Sequence, residues 1–265
     1  MALAAVRTYL KDMGTRSEKT QKGNPHQLTV RQHVYPRASI ERFVNAGGLD
    51  LYDLKQHLLR RAKPDDPMFC ADRAWGHGPE SGWMKEIEDA FQDLVEKLLA
   101  GLPDAFDERQ SATISDFYAL WQARAERRRL PAQRIPAAEG VLGMRVDYTE
   151  DELEQLEKAG ISAFRGDGSI SMRHLMGPVI RLAMDRIIDS LAGRSWRILT
   201  THDGEFCVPD VPAHGIIPLT PTVALHSSRY GVISRDDLIY VNCCLASKSR
   251  EYLFARSLEA CLGLA

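Results

Sequence analysis

The plainest pattern in the chain lies over residues 84–99. Apolar side chains fall at Met84, Ile87, Phe91, Leu94 and Leu98, while Glu86, Asp89, Gln92, Asp93 and Glu96 take the other faces. Spacing of three and four residues follows the turn of an α-helix, so an amphipathic helix with one buried stripe is predicted. Gly101 and Pro103 end it, since glycine suits a helix terminus and proline cannot continue the ladder. A second helix is predicted over residues 111–129, packed through Ile114, Phe117, Tyr118, Leu120 and Trp121. Thr149-Glu150-Asp151-Glu152 has the order of a capping box, in which hydroxyl and carboxylate satisfy each other's free N–H groups. A helix is expected from there to Lys158, stopped by Gly160. Residues 171–191 read as a central helix kinked at Pro178, with Leu175, Val179, Leu182, Met184, Ile187, Ile188 and Leu191 on a wide apolar face.

After Ser195 the period shortens. Residues 196–200 and 205–208 read as strands joined through His202-Asp203-Gly204 by a hairpin turn. Residues 216–221 and 222–226 are two more short strands, whose prolines favour a sheet edge. Ser234 caps a helix through Ala246, and residues 252–255 form a last strand. Earlier, Gly47-Gly48 makes a turn into a strand on which Leu49, Leu51 and Asp53 alternate with their neighbours. The expected class is α+β: a helical middle with a small, mainly antiparallel sheet formed by the C-terminal strands and an early strand. Residues 14–27, rich in Lys, Ser, Thr, Gly and Asn, bury little surface, so residues 1–30 are expected as a flexible arm and 31–265 as a single domain.

Composition narrows the class without naming a function. Apolar residues at 44% and charged residues at 26% are ordinary for a globular chain of 265 residues. A net charge of −2 does not suit a general polyanion coat, although it allows a local basic patch. No apolar run approaches the roughly 18 residues of a membrane span, so no membrane association is expected. The apolar start is broken by Arg7, Lys11 and Asp12, too soon for a signal peptide. Five cysteines, two of them adjacent at Cys243-Cys244, make no disulfide framework and carry no zinc spacing. A cytoplasmic protein is the expectation.

Several chemistries can be set aside, because the chain holds no nucleophile elbow, phosphate loop or dinucleotide fingerprint. What remains begins at His33-Val34-Tyr35-Pro36, an extended stretch turning into a short helix anchored by Ile40 and Phe43. His33 is the candidate acid/base, and Asp210, in Pro209-Asp210-Val211-Pro212, its orienting or metal-holding partner. Glu88, at the edge of the first helix's stripe, or alternatively Glu80, is a third candidate. Arg124, Arg127, Arg128, Arg129 and Arg134 cluster at the end of the second helix. The helix dipole favours cations there, by about 0.3–1 kcal/mol each, but five exceed that need. Arg124, Arg128 and Arg134 are therefore read as phosphate contacts, with Tyr35 beside them. The set suits metal-independent phosphodiester cleavage or a phosphate pocket, so no cofactor is expected. A divalent metal on His33, Asp210 and a glutamate stays open. Each residue also has a plain structural role available: His33 as a turn residue, Asp210 as a corner, the arginines as a solvated face.

The order of these motifs resembles a bacterial family of uncharacterised function that opens with His-x-x-Pro followed by an aliphatic residue and Phe. Here those are His33, Pro36, Ile40 and Phe43. Its acidic middle helix resembles residues 84–99, and its helix ending in Arg and Pro resembles residues 121–131. Its Trp-led strand pair, Asp-x-Pro and Pro-Leu-x-Pro correspond to Trp196, to Asp210 with Pro212, and to Pro218-Leu219-Thr220-Pro221. Asn242, Ala246 and residues 252–254 complete the order. Pro209 stands where that family usually has serine, so any chemistry of that serine would be missing here. The resemblance implies one fold over residues 31–256 and raises the weight of His33 and Asp210, without supplying an activity. Two functions are carried forward. One is a nuclease-like or phosphate-directed hydrolase of defence or toxin type. The other is a non-catalytic module in which the Arg124–Arg134 cluster and a sheet edge bind a nucleic acid or a protein partner.

Overall fold

A computed structural model describes residues 18–101, 103, 105–129, 148–166, 168–228 and 231–264, and the backbone of 134–136. The strands are β1 (Arg31–His33), β2 (Leu49–Asp53), β3 (Leu58–Ala62), β4 (Cys70–Asp72), β5 (Arg134–Pro136), β6 (Ser169–Ser171), β7 (Arg197–Thr200), β8 (Val208–Pro209), β9 (Ile216–Thr220), β10 (Val223–His226), β11 (Gly231–Val232) and β12 (Tyr252–Ala255). The helices are α1 (Arg37–Glu41), α2 (His77–Ser81), α3 (Trp83–Ala100), α4 (Glu108–Arg127), α5 (Glu150–Lys158), α6 (Arg173–Ser190) and α7 (Arg235–Lys248). The class is α+β, and none of these helices is long and apolar enough to cross a membrane. The described residues divide into two compact units, one from residues 18–32, 71–85 and 127–181, the other from 33–70, 86–126 and 182–264.

In the first unit, α5 starts on the predicted capping box: Thr149 Oγ1 accepts the Glu152 N–H, and the Glu152 carboxylate accepts the Thr149 N–H. Part of the expected arm lies on this helix. The Gln21 N–H donates to Glu154 Oε1 at 2.6 Å, and His26 Nε2 meets Asp151 Oδ1 at 2.6 Å. Residues 1–17, the rest of that arm, lie outside the described residues. Gln32 is buried and ties two strand ends, donating to the Trp75 carbonyl and accepting the Trp75 N–H. β5 pairs antiparallel with β6, Arg134 opposite Ser171. Gly177 of α6 passes so close to Pro79 that an added Cβ would sit 2.6 Å from the proline ring.

The apolar face expected on α6 is displaced. Met176, Ile180 and Met184 are buried, whereas Leu182 is 61% exposed. At 100° per residue the sequence 176, 180, 184 makes one stripe, and residue 182 lies about 200° around from 180.

The second unit carries two four-stranded sheets, in the orders β11-β7-β10-β9 and β3-β2-β12-β8. The early strand does pair with the last one: β2 runs antiparallel to β12, Leu51 opposite Phe254. Pro218 lies on the outer strand β9, where a missing N–H costs no ladder bond. The hairpin expected across residues 202–204 does not form. β7 pairs instead with β10 and β11, and residues 205–207 run outside any strand. Their polar groups are satisfied elsewhere, the Phe206 N–H by the Pro221 carbonyl and the Cys207 N–H by Asn242 Oδ1. One core is aromatic, with Phe91 stacked on Phe117 at 3.6 Å and Tyr35 at 4.5 Å from Trp121. Another packs Leu199, Phe206 and Ala224 with Leu238, Val241 and Leu245 of α7.

Candidate functional site

The expected constellation is only partly gathered, and what is gathered is buried. Tyr35 is a core ring whose hydroxyl donates to the Pro218 carbonyl at 2.8 Å, and burial pushes its phenol up. His33 is half-buried, and its Nε2 meets the Pro64 carbonyl at 3.0 Å. Its own carbonyl accepts from Arg124 Nη1 at 3.2 Å, and the same nitrogen binds Glu88 Oε1. His33, Glu88 and Arg124 therefore do meet, through the histidine's backbone rather than its ring. Arg124, at 1% exposure, is an internal brace between two helices and the end of β1. It is not placed to touch a phosphate arriving from solvent.

Asp210 is equally buried, and both its oxygens hold backbone: Oδ1 accepts the Arg250 N–H at 2.8 Å and Oδ2 the Glu251 N–H at 3.0 Å. Arg128 and Arg134 belong to the other unit. Arg128 is buried there, and the side chain of Arg134 lies outside the described residues. No group of three or more His, Cys, Asp or Glu placed to hold a metal occurs among the described residues.

The second unit does contain an open cleft of about 480 Å³. Its first wall is one face of α4, where Tyr118, Gln122 and Glu126 follow one another at four-residue spacing. Its second wall is the turn before β9. Ala213 bridges Ile216 across His214 and Gly215, and both of these central residues have positive φ, 55° and 68°. Positive φ at both positions is the geometry that closes a two-residue hairpin, and only glycine adopts it without cost. The Gly215 N–H donates to the Tyr118 hydroxyl at 3.1 Å, which fixes this turn to α4. Burial pushes the Tyr118 phenol up, so it stays a neutral hydroxyl.

The third wall is the end of α7. Ser249 leaves the helix in an extended conformation, and Asp210 catches the next two N–H groups. The helix end thus presents Lys248 and Arg250 to the cleft. Both are exposed, and among the described residues neither makes an ion pair. Ser249 and exposed His214 line the same space, whereas the Ser247 hydroxyl donates to the Cys244 carbonyl at 2.9 Å. Opposite stands Glu126, which accepts from Gln122 Nε2 at 3.2 Å. Two cations without ion pairs among the described residues, a histidine and a serine hydroxyl around one concave space can bind an anionic group, and a cleft of this size takes a small molecule.

Sequence reading misses this cleft. Ser247-Lys248-Ser249-Arg250 looks like a basic helix end, a pattern the dipole alone explains. The available signal was Asp210 between two prolines: a fixed corner is needed where something must be positioned. Compared with known proteins, the chain matches no family model, no curated protein and no solved structure.

Proposed function

We propose that the protein binds a phosphate-bearing ligand in the cleft between α4, the His214 turn and the end of α7. The observation that carries this reading is the convergence of Lys248 and Arg250, exposed and without ion pairs among the described residues, on one concave space. Arg250 would take a phosphate through its planar fork and Lys248 as a point charge. His214 adds a ring nitrogen as a further donor. Glu126 and Gln122 on the facing wall suit an amine or hydroxyl on the rest of the ligand. This keeps the phosphate-directed part of the expectation and moves it from Arg124, Arg128 and Arg134 to residues 214, 248 and 250. Asp210 keeps a role as the residue that positions Arg250. Hydrolysis by His33 gains no support from this geometry, since its ring nitrogen is on a carbonyl and Asp210 is on backbone N–H groups.

The test is calorimetric titration of the full chain with pyrophosphate, alongside anisotropy of a labelled, 5′-phosphorylated single-stranded oligonucleotide. Binding should weaken at least tenfold in Lys248→Ala/Arg250→Ala, and salt should weaken it further. Binding of both probes that is unchanged by the double substitution, or no binding of either, overturns the reading.

A further inference from the structure

In the first unit three arginines and a lysine converge on a recess that the cleft reading does not involve. Arg73 is buried, with its side chain 2% exposed, and its Nη2 binds Glu157 Oε2 at 2.6 Å. Arg173 Nη2 binds the same oxygen at 2.7 Å, and Arg173 Nη1 meets His174 Nε2 at 2.6 Å. Arg165 comes from the segment before β6, and Lys19 and Ser171 line the same recess. Arg73 is held there from a left-handed backbone conformation, φ 43°, which a side chain with Cβ adopts only where surrounding structure enforces it.

Glu18 closes this recess. Its carboxylate lies 3.1 Å from Arg165 Nη2 and 3.3 Å from Arg173 Nη2. With Glu18 seated, about 20 Å³ remains, room for one water. Yet Nε and Nη1 of Arg73 and Nε of Arg173 are buried and find no acceptor among the described residues. Buried guanidinium N–H groups without acceptors cost stability, and the carboxylates of Glu18, Glu150 and Glu157, which pair with these arginines, still leave those three N–H groups unmet. The recess has more guanidinium donors than the described residues fill.

We propose that Arg73, Arg165 and Arg173 form an oxyanion site which Glu18 occupies in cis, and which a phosphate or carboxylate group of a ligand fills when Glu18 swings out. The guanidinium forks match such a group bidentately, and Ser171 supplies a hydroxyl donor. The segment from Glu18 to Gln27 is then a strap. It is held to α5 by Gln21 on Glu154, by His26 on Asp151, and by Lys158, which donates to the Gln27 carbonyl at 3.1 Å. Glu18 leaves the site only if its end of the strap moves, while the hydrogen bonds at Gln21 and His26 keep the rest in place.

The experiment uses the full chain carrying Lys248→Ala/Arg250→Ala, so that failure of the cleft reading and failure of this one are distinguishable. In that background, inorganic phosphate and acetate are titrated by calorimetry at fixed ionic strength, with and without Glu18→Ala. Glu18→Ala should tighten the binding of at least one of the two anions tenfold or more, and adding Arg165→Ala should remove the gain. Which anion gains distinguishes a phosphate site from a carboxylate site. Thermal melts of each variant without anion confirm that it is folded, and Glu18→Gln serves where Glu18→Ala is not. Unchanged affinity for both anions on removing the Glu18 charge, or a gain that survives Arg165→Ala, overturns the proposal.

Discussion

Asp210 and Arg250 are joined backbone to side chain: the Arg250 N–H donates to Asp210 Oδ1 at 2.8 Å, inside the protein and forty residues away in sequence. The Glu251 N–H takes the other oxygen at 3.0 Å. The last turn of a helix leaves its carbonyls open and the chain free to leave in many directions. Here a buried carboxylate, fixed between two prolines, selects one direction. That choice aims Arg250 at the cleft and starts β12, whose Leu253 lies opposite Pro209 in the sheet.

Asp210→Ala is therefore expected to act on both stability and binding. Removing the carboxylate leaves two N–H groups of the α7–β12 junction without these acceptors, a loss of about 3 kcal/mol. Urea melts would measure it. Anion affinity of the folded fraction should fall as well, because Arg250 loses its direction. If stability drops while pyrophosphate binding holds, Asp210 is a corner and nothing more.

Glu88 and Arg124 should behave asymmetrically. Arg124 is buried and Glu88 is half-wet, so truncating the glutamate removes a buried guanidinium's carboxylate partner, whereas truncating the arginine leaves a carboxylate that water can reach. Glu88→Ala should cost about 3 kcal/mol and Arg124→Met about 1 kcal/mol, measured by denaturant unfolding. Both variants should keep the phosphate affinity of the cleft. A loss of that affinity without loss of stability would return these residues to the list of ligand contacts.

Local features of this chain were legible because they depend on neighbours in sequence. The capping box at Thr149 and the cap at Ser234 form as read, since each bond spans three residues. Pro218 was readable as an edge position because a missing N–H is a property of the residue itself. The partner of β7 was not readable: residues 197–200 could have paired with 205–208, but they pair with 223–226, while the Phe206 N–H donates to the Pro221 carbonyl. Arg124 looked like part of an exposed basic helix end. α4 is buried continuously from Phe117 to Trp121 and again from Ala123 to Ala125, and no single-face pattern reveals that. The cleft was least legible, being assembled from α4, one turn and one helix end that only tertiary contacts bring together.

The cysteines give a check on the core of the second unit. Cys70, Cys207 and Cys261 are buried, and burial pushes the Cys207 thiol up to about 12 and that of Cys261 higher still. Only the thiolate attacks an alkylating agent, so at pH 8 Cys207 should react about 1000-fold more slowly than an ordinary exposed thiol, before any steric protection. Cys243 is exposed and Cys244 partly so. Intact-mass analysis after brief iodoacetamide treatment should show at most two labels on the native protein and five after unfolding. Labelling of Cys207 at the rate of Cys243 would contradict the packing of α7 on its sheet.

A last prediction concerns acid. Burial, and after it the neighbouring Arg173, lowers the His174 pKa to about 4. The neutral ring is the form the fold uses, because His174 Nε2 accepts from Arg173 Nη1 at 2.6 Å. An unfolded chain binds this proton near pH 6.5 and the folded one only near pH 4, so between those values the unfolded state holds more protons. Stability from this group is fully present above about pH 6.5 and is lost as pH falls towards 4, at most about 3 kcal/mol in total. Glu18, Arg73 and Arg165 also act on the ring, and carboxylates titrate towards the acid end, so wild type alone cannot isolate the effect. His174→Gln keeps a neutral acceptor for Arg173 and cannot be protonated. Urea melts of both proteins from pH 7 to pH 5 should show wild type losing about 2 kcal/mol more than the variant. Equal losses would mean that His174 is protonated in the fold, and that Arg173 is held by Glu157 and Glu18 without it.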